Sequence, residues 1–388
     1  MAFARVYMDW NATAPLSDAA RRAMLDALAL SGNASSVHSE GRAARAAVEK
    51  ARRQVAALVG AEPASVIFTS GATEAANQVL TPDFRMGRSL LSIGRLYVSA
   101  IEHPAVREGG RFPAERVTEL PVTRAGVLDL ESLEAALESH ELASGIAMVA
   151  LMLVNNETGI VQPVAEAARL VHQHGGLLVV DAVQAAGRMP IDIAAIDADF
   201  IILSSHKIGG PKGVGALIAR GEALMPSPLI RGGGQEKGHR SGTENIHGII
   251  GFGAAAEVAL EGLVEHQAHV SELRDQLEVG VLKAAPDVII HGRDVERVGN
   301  TCFFTLPGLK SETGQIAFDL EGIALSAGSA CSSGKVGQSH VLTAMGFDPE
   351  VGGLRISIGR TTTQEDVSAA IAAFKKIFGR RLPPGEAA

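Results

Sequence analysis

Two residues stand at the ends of apolar runs, where a charge is costly. Asp181 closes Leu177-Leu178-Val179-Val180, and Lys207 follows the run Phe200 to Leu203 by way of Ser204-Ser205-His206. A carboxylate in such a place needs a partner, because burying an unpaired charge is expensive. An amine there is poised to shed its proton and act as a nucleophile. An aspartate to hold a protonated pyridine nitrogen and a lysine to form a Schiff base are the minimum equipment for pyridoxal phosphate. The same two residues could equally form a partly buried ion pair, which is the commoner arrangement.

Other residues could serve such a cofactor. Ser70-Gly71-Ala72-Thr73-Glu74 runs from a strand into a helix, where free backbone N–H groups and the helix dipole favour an anion. A plain helix cap at Thr73 competes with that reading, but Ser204 and His206 add donors near the same sheet end. His103, in Glu102-His103-Pro104, could stack on a flat ring and shuttle protons. It is one of twelve histidines, so its position rather than its type is the argument. Arg355, in Leu354-Arg355-Ile356-Ser357, could clamp a carboxylate in two-pronged fashion or form a structural salt bridge.

Cys331 lies in the small-residue stretch Ser326 to Gly334, which predicts a loop rather than core. An exposed thiol there points to chemistry through its thiolate. Cys302, in Thr301-Cys302-Phe303-Phe304, reads instead as a buried structural thiol. Two nucleotide motifs fail. The stretch Gly328 to Lys335 has one residue too many for a P-loop, with Val336 where Ser or Thr is required. No well-placed G-x-G-x-x-G follows the early strands.

The elements that must position these residues alternate. Strand-like runs at Val66–Thr69, Leu96–Ala100, Ala147–Val154, Leu177–Val180 and Phe200–Leu203 are separated by helical patterns such as Glu40–Val59 and Val164–His174. Continuous apolar strands between helices predict a parallel sheet covered on both faces. Ligands in such sheets bind at the carboxyl ends of the strands, which predicts a pocket lined by Thr73, His103, Asn156, Asp181, Gln184, His206 and Lys207. A second unit is expected after Gly253, with a long helical stretch over Ala254–Leu282 and short strands at Asn300–Leu306 and Leu354–Ile358.

Composition sets the bounds. With 388 residues, two or three domains are expected. Hydrophobic residues at 46% suffice for a core. A net charge of −8 and 4% aromatics argue against a nucleic-acid footprint. Two cysteines exclude a disulfide framework and an all-Cys metal site, and suit a reducing compartment. No secretory signal is apparent, and the longest apolar stretch, near Ile146–Val154, is too short to span a membrane. A cytoplasmic protein is expected, with neither membrane nor stable nucleic-acid partner.

In sum these residues resemble the cysteine desulfurases of the NifS/IscS type, in the class V branch of pyridoxal-phosphate aminotransferases. The matching segments are Asp9–Thr13, Phe68–Glu74, Glu102-His103, Val154–Gly159, Asp181–Gln184, Ser205–Gly213, Gly232–Glu236, Arg240–Thr243, Gly328–Cys331 and Arg355–Arg360, in family order along the chain. Departures are few: Ala34 stands for a common Pro, Trp10 for a common Tyr, and Gly210 for a bulkier aromatic. They bear only on substrate positioning.

The resemblance implies an α/β, fold-type I transferase. A large cofactor-binding domain over 15–255 would carry a mostly parallel sheet sandwiched by helices. Residues 1–14 and 256–388 would form a smaller α+β domain bearing the cysteine loop. Lys207 would carry pyridoxal 5'-phosphate, Asp181 would hold its ring nitrogen, His103 would stack on it, and Gln184 and Asn156 would flank it. Ala72, Thr73, Ser204 and His206 would bind its phosphate, with Thr243 reaching across from the second subunit of a homodimer. Arg355, helped by Asn33, would hold the carboxylate of L-cysteine. Cys331 would take the sulfur as a persulfide, releasing alanine, and pass it to an acceptor such as an iron–sulfur scaffold. No resident metal is implied, only a transient iron–sulfur contact at Cys331. A selenocysteine lyase or related β-lyase would share every cofactor residue.

Overall fold

The computed structural model describes residues 5–87, 89–328, 338–348 and 352–378. The first strand, β1 (Val6–Tyr7), is two residues long and belongs with the far end of the chain. The large sheet is built from β2 (Val66–Thr69), β3 (Asp83–Met86), β4 (Ser89–Ser99), β5 (Val117–Leu120), β6 (Ile146–Met152), β7 (Leu177–Asp181), β8 (Phe200–Ser204), β9 (Gly215–Ala219) and β10 (Leu224–Pro226). Its order is β10-β3-β4-β6-β7-β8-β9-β2, with β5 beside the second half of β4.

Strands β5, β4, β6, β7 and β8 run parallel. β9 is antiparallel to β8, and β2 is antiparallel to β9. Two reversals restore the direction, so β2 ends at the same edge as β8. That edge therefore receives the residues after β2, β4, β6, β7 and β8.

The continuous apolar runs follow from burial on both faces. Val149, Leu151, Leu178, Val180, Ile201 and Leu203 pack into one core with the helices Ser39–Ala57, Val164–Gln173 and Ile246–Leu260. Their alternating neighbours Met148, Ala150, Leu177, Val179, Phe200 and Ile202 pack into the opposite core, with Ala75, Ala76 and Val79 of the helix Ala72–Val79.

A second sheet, ordered β11-β12-β15-β14, is formed by β11 (Ile289–Ile290), β12 (Thr301–Thr305), β14 (Ser326–Ala327) and β15 (Leu354–Ser357). β13 (Ile323–Ala324) pairs in parallel with β1. Val6 and Met8 thus share a core with Val270, Phe304, Phe318 and Phe374. Cys302 is 1% exposed in β12, and burial pushes its thiol pKa up. The structure corrects one expectation: the helical stretch over Ala254–Leu282 is broken. Ile246–Leu260 and Leu263–Ala284 meet at a 75° bend. Gly262 takes φ +60 there, a left-handed turn suited to glycine. Among the described residues no single helix is long and apolar enough to cross a membrane.

The helix Val164–Gln173 is tied to the sheet by His172, whose Nδ1 lies 2.9 Å from Asp197 Oδ2 and Nε2 3.0 Å from Asp199 Oδ2. Burial disfavours the imidazolium, but the bonds and charges of Asp199 and Asp197 outweigh it and raise the His172 pKa. A raised folded-state pKa contributes stability below the ordinary value and loses it as pH climbs through the folded value. His172→Gln should therefore lower stability by roughly 0.5–1 kcal/mol at pH 6 and have little effect at pH 9, as read from urea unfolding at both pH values.

Candidate active site

A cavity of about 630 Å³ opens at the carboxyl edge of the large sheet. It is within the size range of cofactor pockets. Ala72, Thr73, His103, Asn156, Asp181, Gln184, Ser204, His206, Lys207 and Arg355 all line it. Two expected residues do not. Thr243 lines an adjoining cleft with Arg240 and Glu244, which also touches Ser70 and Gly213. Asn33 is on an exposed segment, where its Oδ1 accepts from the Ser35 amide at 2.8 Å. Cys331 lies outside the described residues.

Most of these residues follow strand ends of the large sheet, whereas Arg355 comes from within β15. Asp181 is the last residue of β7, and its Oδ1 accepts from the Val183 amide at 2.9 Å. Burial raises its pKa to about 6, although that bond and the charge of Lys207 pull it down. Lys207 ends the short 3-10 turn Ser205–Lys207 after β8. Its Nζ donates to the carbonyls of Asn11 at 2.6 Å and Ala12 at 2.9 Å. His103 follows β4 and caps the turn Pro104–Arg107, with Nδ1 accepting from the Ala105 amide at 3.1 Å. An accepting Nδ1 leaves the ring proton on Nε2. Burial, then the charges of Lys207 and His340, lower its pKa to about 4. His206 is lowered to about 4 as well, by burial first and then by Lys207.

The helix Ala72–Val79 begins at the cavity with no side-chain cap, so its leading N–H groups are available to an anion. Asn156 is 4% exposed, and its Oδ1 has no partner among the described residues. A buried carbonyl oxygen without a donor costs free energy, and a ligand with an O–H at that point would satisfy it. These features fit pyridoxal phosphate: a phosphate seat, a carboxylate for a ring nitrogen, an acceptor at the ring's side and an amine.

Arg355 is 1% exposed on β15, with Nη2 bonded to Asp9 Oδ1 at 2.8 Å and Nη1 to the Asn156 carbonyl at 2.9 Å. Asp9 Oδ2 accepts from Ser326 Oγ at 2.9 Å. Arg355 Nε has no partner among the described residues, which leaves a donor for a carboxylate.

Several residues were missed as site components. The segment Asp9–Thr13 was recognised only as a matching motif. Asn11 also holds Gln184 Nε2 through its carbonyl at 3.0 Å, and Thr13 Oγ1 lies 3.2 Å from His206 Nδ1. Glu102 and Glu157 are buried carboxyls beside the cavity. Burial raises Glu102 well above the usual range, and Glu157 to about 7 against the pull of Ser339 and Arg355. Their signal in the sequence was their place directly after apolar strands.

A crossed sheet edge that gathers a lysine, an aspartate and an open helix start in one cleft is the architecture of a known enzyme class. The model of the family "Aminotransferase class-V" matches residues 6–370, and the chain belongs to that family. Its relatives there are desulfurases. It is 41% identical over 390 residues to "Cysteine desulfurase" of Cereibacter sphaeroides, covering 98% of each chain. It is 38% identical over 373 residues to "IscS-like cysteine desulfurase" of Mycobacterium tuberculosis, covering 94% of each. The crystal structure of a NifS-like protein from Rickettsia africae superposes with a TM-score of 0.86 at 33% identity, covering 97% of this chain and 100% of that one.

Two outcomes check this electrostatic picture. Asp9→Ala leaves Arg355 buried without its carboxylate and should cost about 3–5 kcal/mol in chemical unfolding. In cofactor-free protein, an NMR titration of His103 should show a midpoint near about 4, and Lys207→Met should move it upward.

Proposed function

We propose that this chain is a pyridoxal-phosphate-dependent cysteine desulfurase that removes sulfur from L-cysteine and leaves alanine. The observation that carries the reading is the single cavity shared by Lys207, Asp181, His103 and Arg355, in a chain of this family. When bound, the cofactor supplies an electron sink for the carbon next to the amino group.

The chain's own residues do the rest. Lys207 would hold the cofactor through its amine, and Asp181 would pair with its ring nitrogen. The N–H groups at Ala72 and Thr73, with Ser204 and His206, would hold its phosphate. Asn156 and Gln184 would contact the ring from the sides. His103, whose neutral form burial favours, would lie against the ring and carry a proton on Nε2. Arg355, whose Nε is unpartnered among the described residues, would hold the carboxylate of L-cysteine. Asn33 would help this grip only if its exposed segment came up to the cavity, which it does not line.

Cys331 then attacks the substrate sulfur as a thiolate. The new bond is sulfur to sulfur, and the bond broken is carbon to sulfur. The electron pair of the broken bond stays with the carbon fragment, which takes up a proton and leaves as alanine. The enzyme is left with a persulfide, one sulfur richer, and no external oxidant or reductant is needed. A protein acceptor such as an iron–sulfur scaffold would collect that sulfur in a cytoplasmic setting, where thiols stay reduced.

In this reading residues 15–255 form the cofactor-binding unit, and residues 1–14 with 256–388 form the smaller unit that bears Cys331. A second copy of the chain brings its Thr243 to the phosphate, which accounts for a threonine on a cleft next to the cavity rather than in it.

Incubating the holoenzyme with L-cysteine should release alanine and load Cys331 with sulfur in equal amounts in the first turnover. Cys331→Ala should keep its bound cofactor and lose more than about a hundredfold in turnover. Undiminished turnover in that variant would defeat the persulfide step.

A further inference from the structure

A second cavity, of about 60 Å³, adjoins the cofactor cleft, and Lys207 lines both. Three parts of the chain meet around it. Trp10 comes from the amino-terminal segment, Gly187 and Arg188 from the turn after β7, and His266, Asn300 and Arg360 from beyond the helix bend at Gly262. A water needs about 10–15 Å³ of such space, so the cavity can take a guest of a few heavy atoms.

The charge of its lining is one-sided. Arg188 and Arg360 both line it, and no aspartate or glutamate does. Arg188 donates through Nη1 to Gln184 Oε1 and, at 2.7 Å, to the Gln184 carbonyl, and through Nη2 to the Trp10 carbonyl at 3.5 Å. Arg360 donates through Nη2 to the carbonyls of Ala259 at 3.1 Å and Glu261 at 2.9 Å. Every one of these acceptors is neutral. Arg188 Nε, Arg360 Nε and Nη1 and the indole Nε1 of Trp10 have no hydrogen-bond partner among the described residues.

The neighbours register the imbalance. Burial, then the charge of Arg355, lowers the Arg188 pKa to about 9. His266 is lowered to about 4 by burial and then by the charges of Arg360 and His269. Glu261 pulls Arg360 the other way without offsetting its burial. A partly buried cation held by neutral groups alone is costly, and the space between these two has no counter-charge.

We infer that this cavity is a binding site for a small oxyanion of single charge, of the size of formate or bicarbonate, received by Arg188 and Arg360. Guanidinium groups match the planar, two-oxygen face of such an ion. The site is separate from the one assigned to cysteine, whose carboxylate falls to Arg355 in the other cavity, and it stands whether or not the desulfurase reading does.

The chain carries its own reporter. Trp10 is the single tryptophan. Its ring lies against Gly359, where an added Cβ would come within 2.1 Å of the indole. The test titrates cofactor-loaded protein with sodium formate at constant ionic strength, kept with a bulky sulfonate salt. The formate proton should show saturation transfer from the protein, and Trp10 emission should change with the same saturable midpoint. Citrate, too large for the space, should leave the emission unchanged. Arg360→Met should raise the formate midpoint about tenfold or more, and Arg360→Lys, which keeps the charge but not the fork, severalfold. Arg188→Met should act as Arg360→Met does, and it carries the test if that variant does not fold. An emission that ignores formate, an equal response to citrate, or a midpoint unmoved in Arg360→Met or Arg188→Met would overturn the inference.

Discussion

The ammonium of Lys207 is held by the carbonyls of Asn11 and Ala12, and the rest of the site is arranged around that junction. Asn11 is 1% exposed and uses nearly every polar atom it has. Its amide donates to Ser357 Oγ, its Nδ2 donates to Thr301 Oγ1 and the Asn156 carbonyl, and its Oδ1 accepts from Asn300 Nδ2. One residue therefore joins Lys207 to β12, to β15 and to the turn after β6. Two positions earlier, Asp9 neutralises Arg355. Without that carboxylate a guanidinium would sit buried and unpaired, a severe penalty in a low-dielectric interior.

Burial sets the electrostatic character of the cavity and its surroundings. Asp181, Glu102 and Glu157 are all raised by burial, while His103 and His206 are lowered by it. Such displaced groups cluster where chemistry is done. A neutral histidine and a carboxyl raised by burial sit beside a lysine that donates to two backbone carbonyls. Charges formed during reaction would be poorly screened there, and fixed dipoles would stabilise them more than solvent could.

Much of this was legible in the sequence. Strands β6, β7 and β8 were visible as apolar runs of the right length, each ended by polar residues, because both of their faces are covered. Asp181, His103 and Lys207 were legible for the same reason: they are polar residues where such runs stop. The direction of β9 was not legible, since a short apolar strand looks alike either way and only the turn through Gly209–Gly213 sets it. The bend at Gly262 was hidden within helix-forming residues. Asp9 and Asn11 were hardest to assign. They follow a strand of two residues, too short for any periodic pattern, and their partners are some 145 to 346 positions away. Thr243 and Asn33 were named through resemblance, and a single chain does not bring them to the cavity.

The bond between Asp9 and Arg355 closes a loop of 346 residues. During synthesis Asp9 leaves the ribosome 346 positions ahead of Arg355, so it cannot settle until β15 emerges. The large sheet can form while the chain is still growing, with Lys207 exposed at an open edge. Domains fold as units as they appear, and long-range pairings come last. A ligand entering before β15 is in place would thus meet a half-built cleft, and the pairing of Asp9 with Arg355 is expected to be among the last steps that complete it.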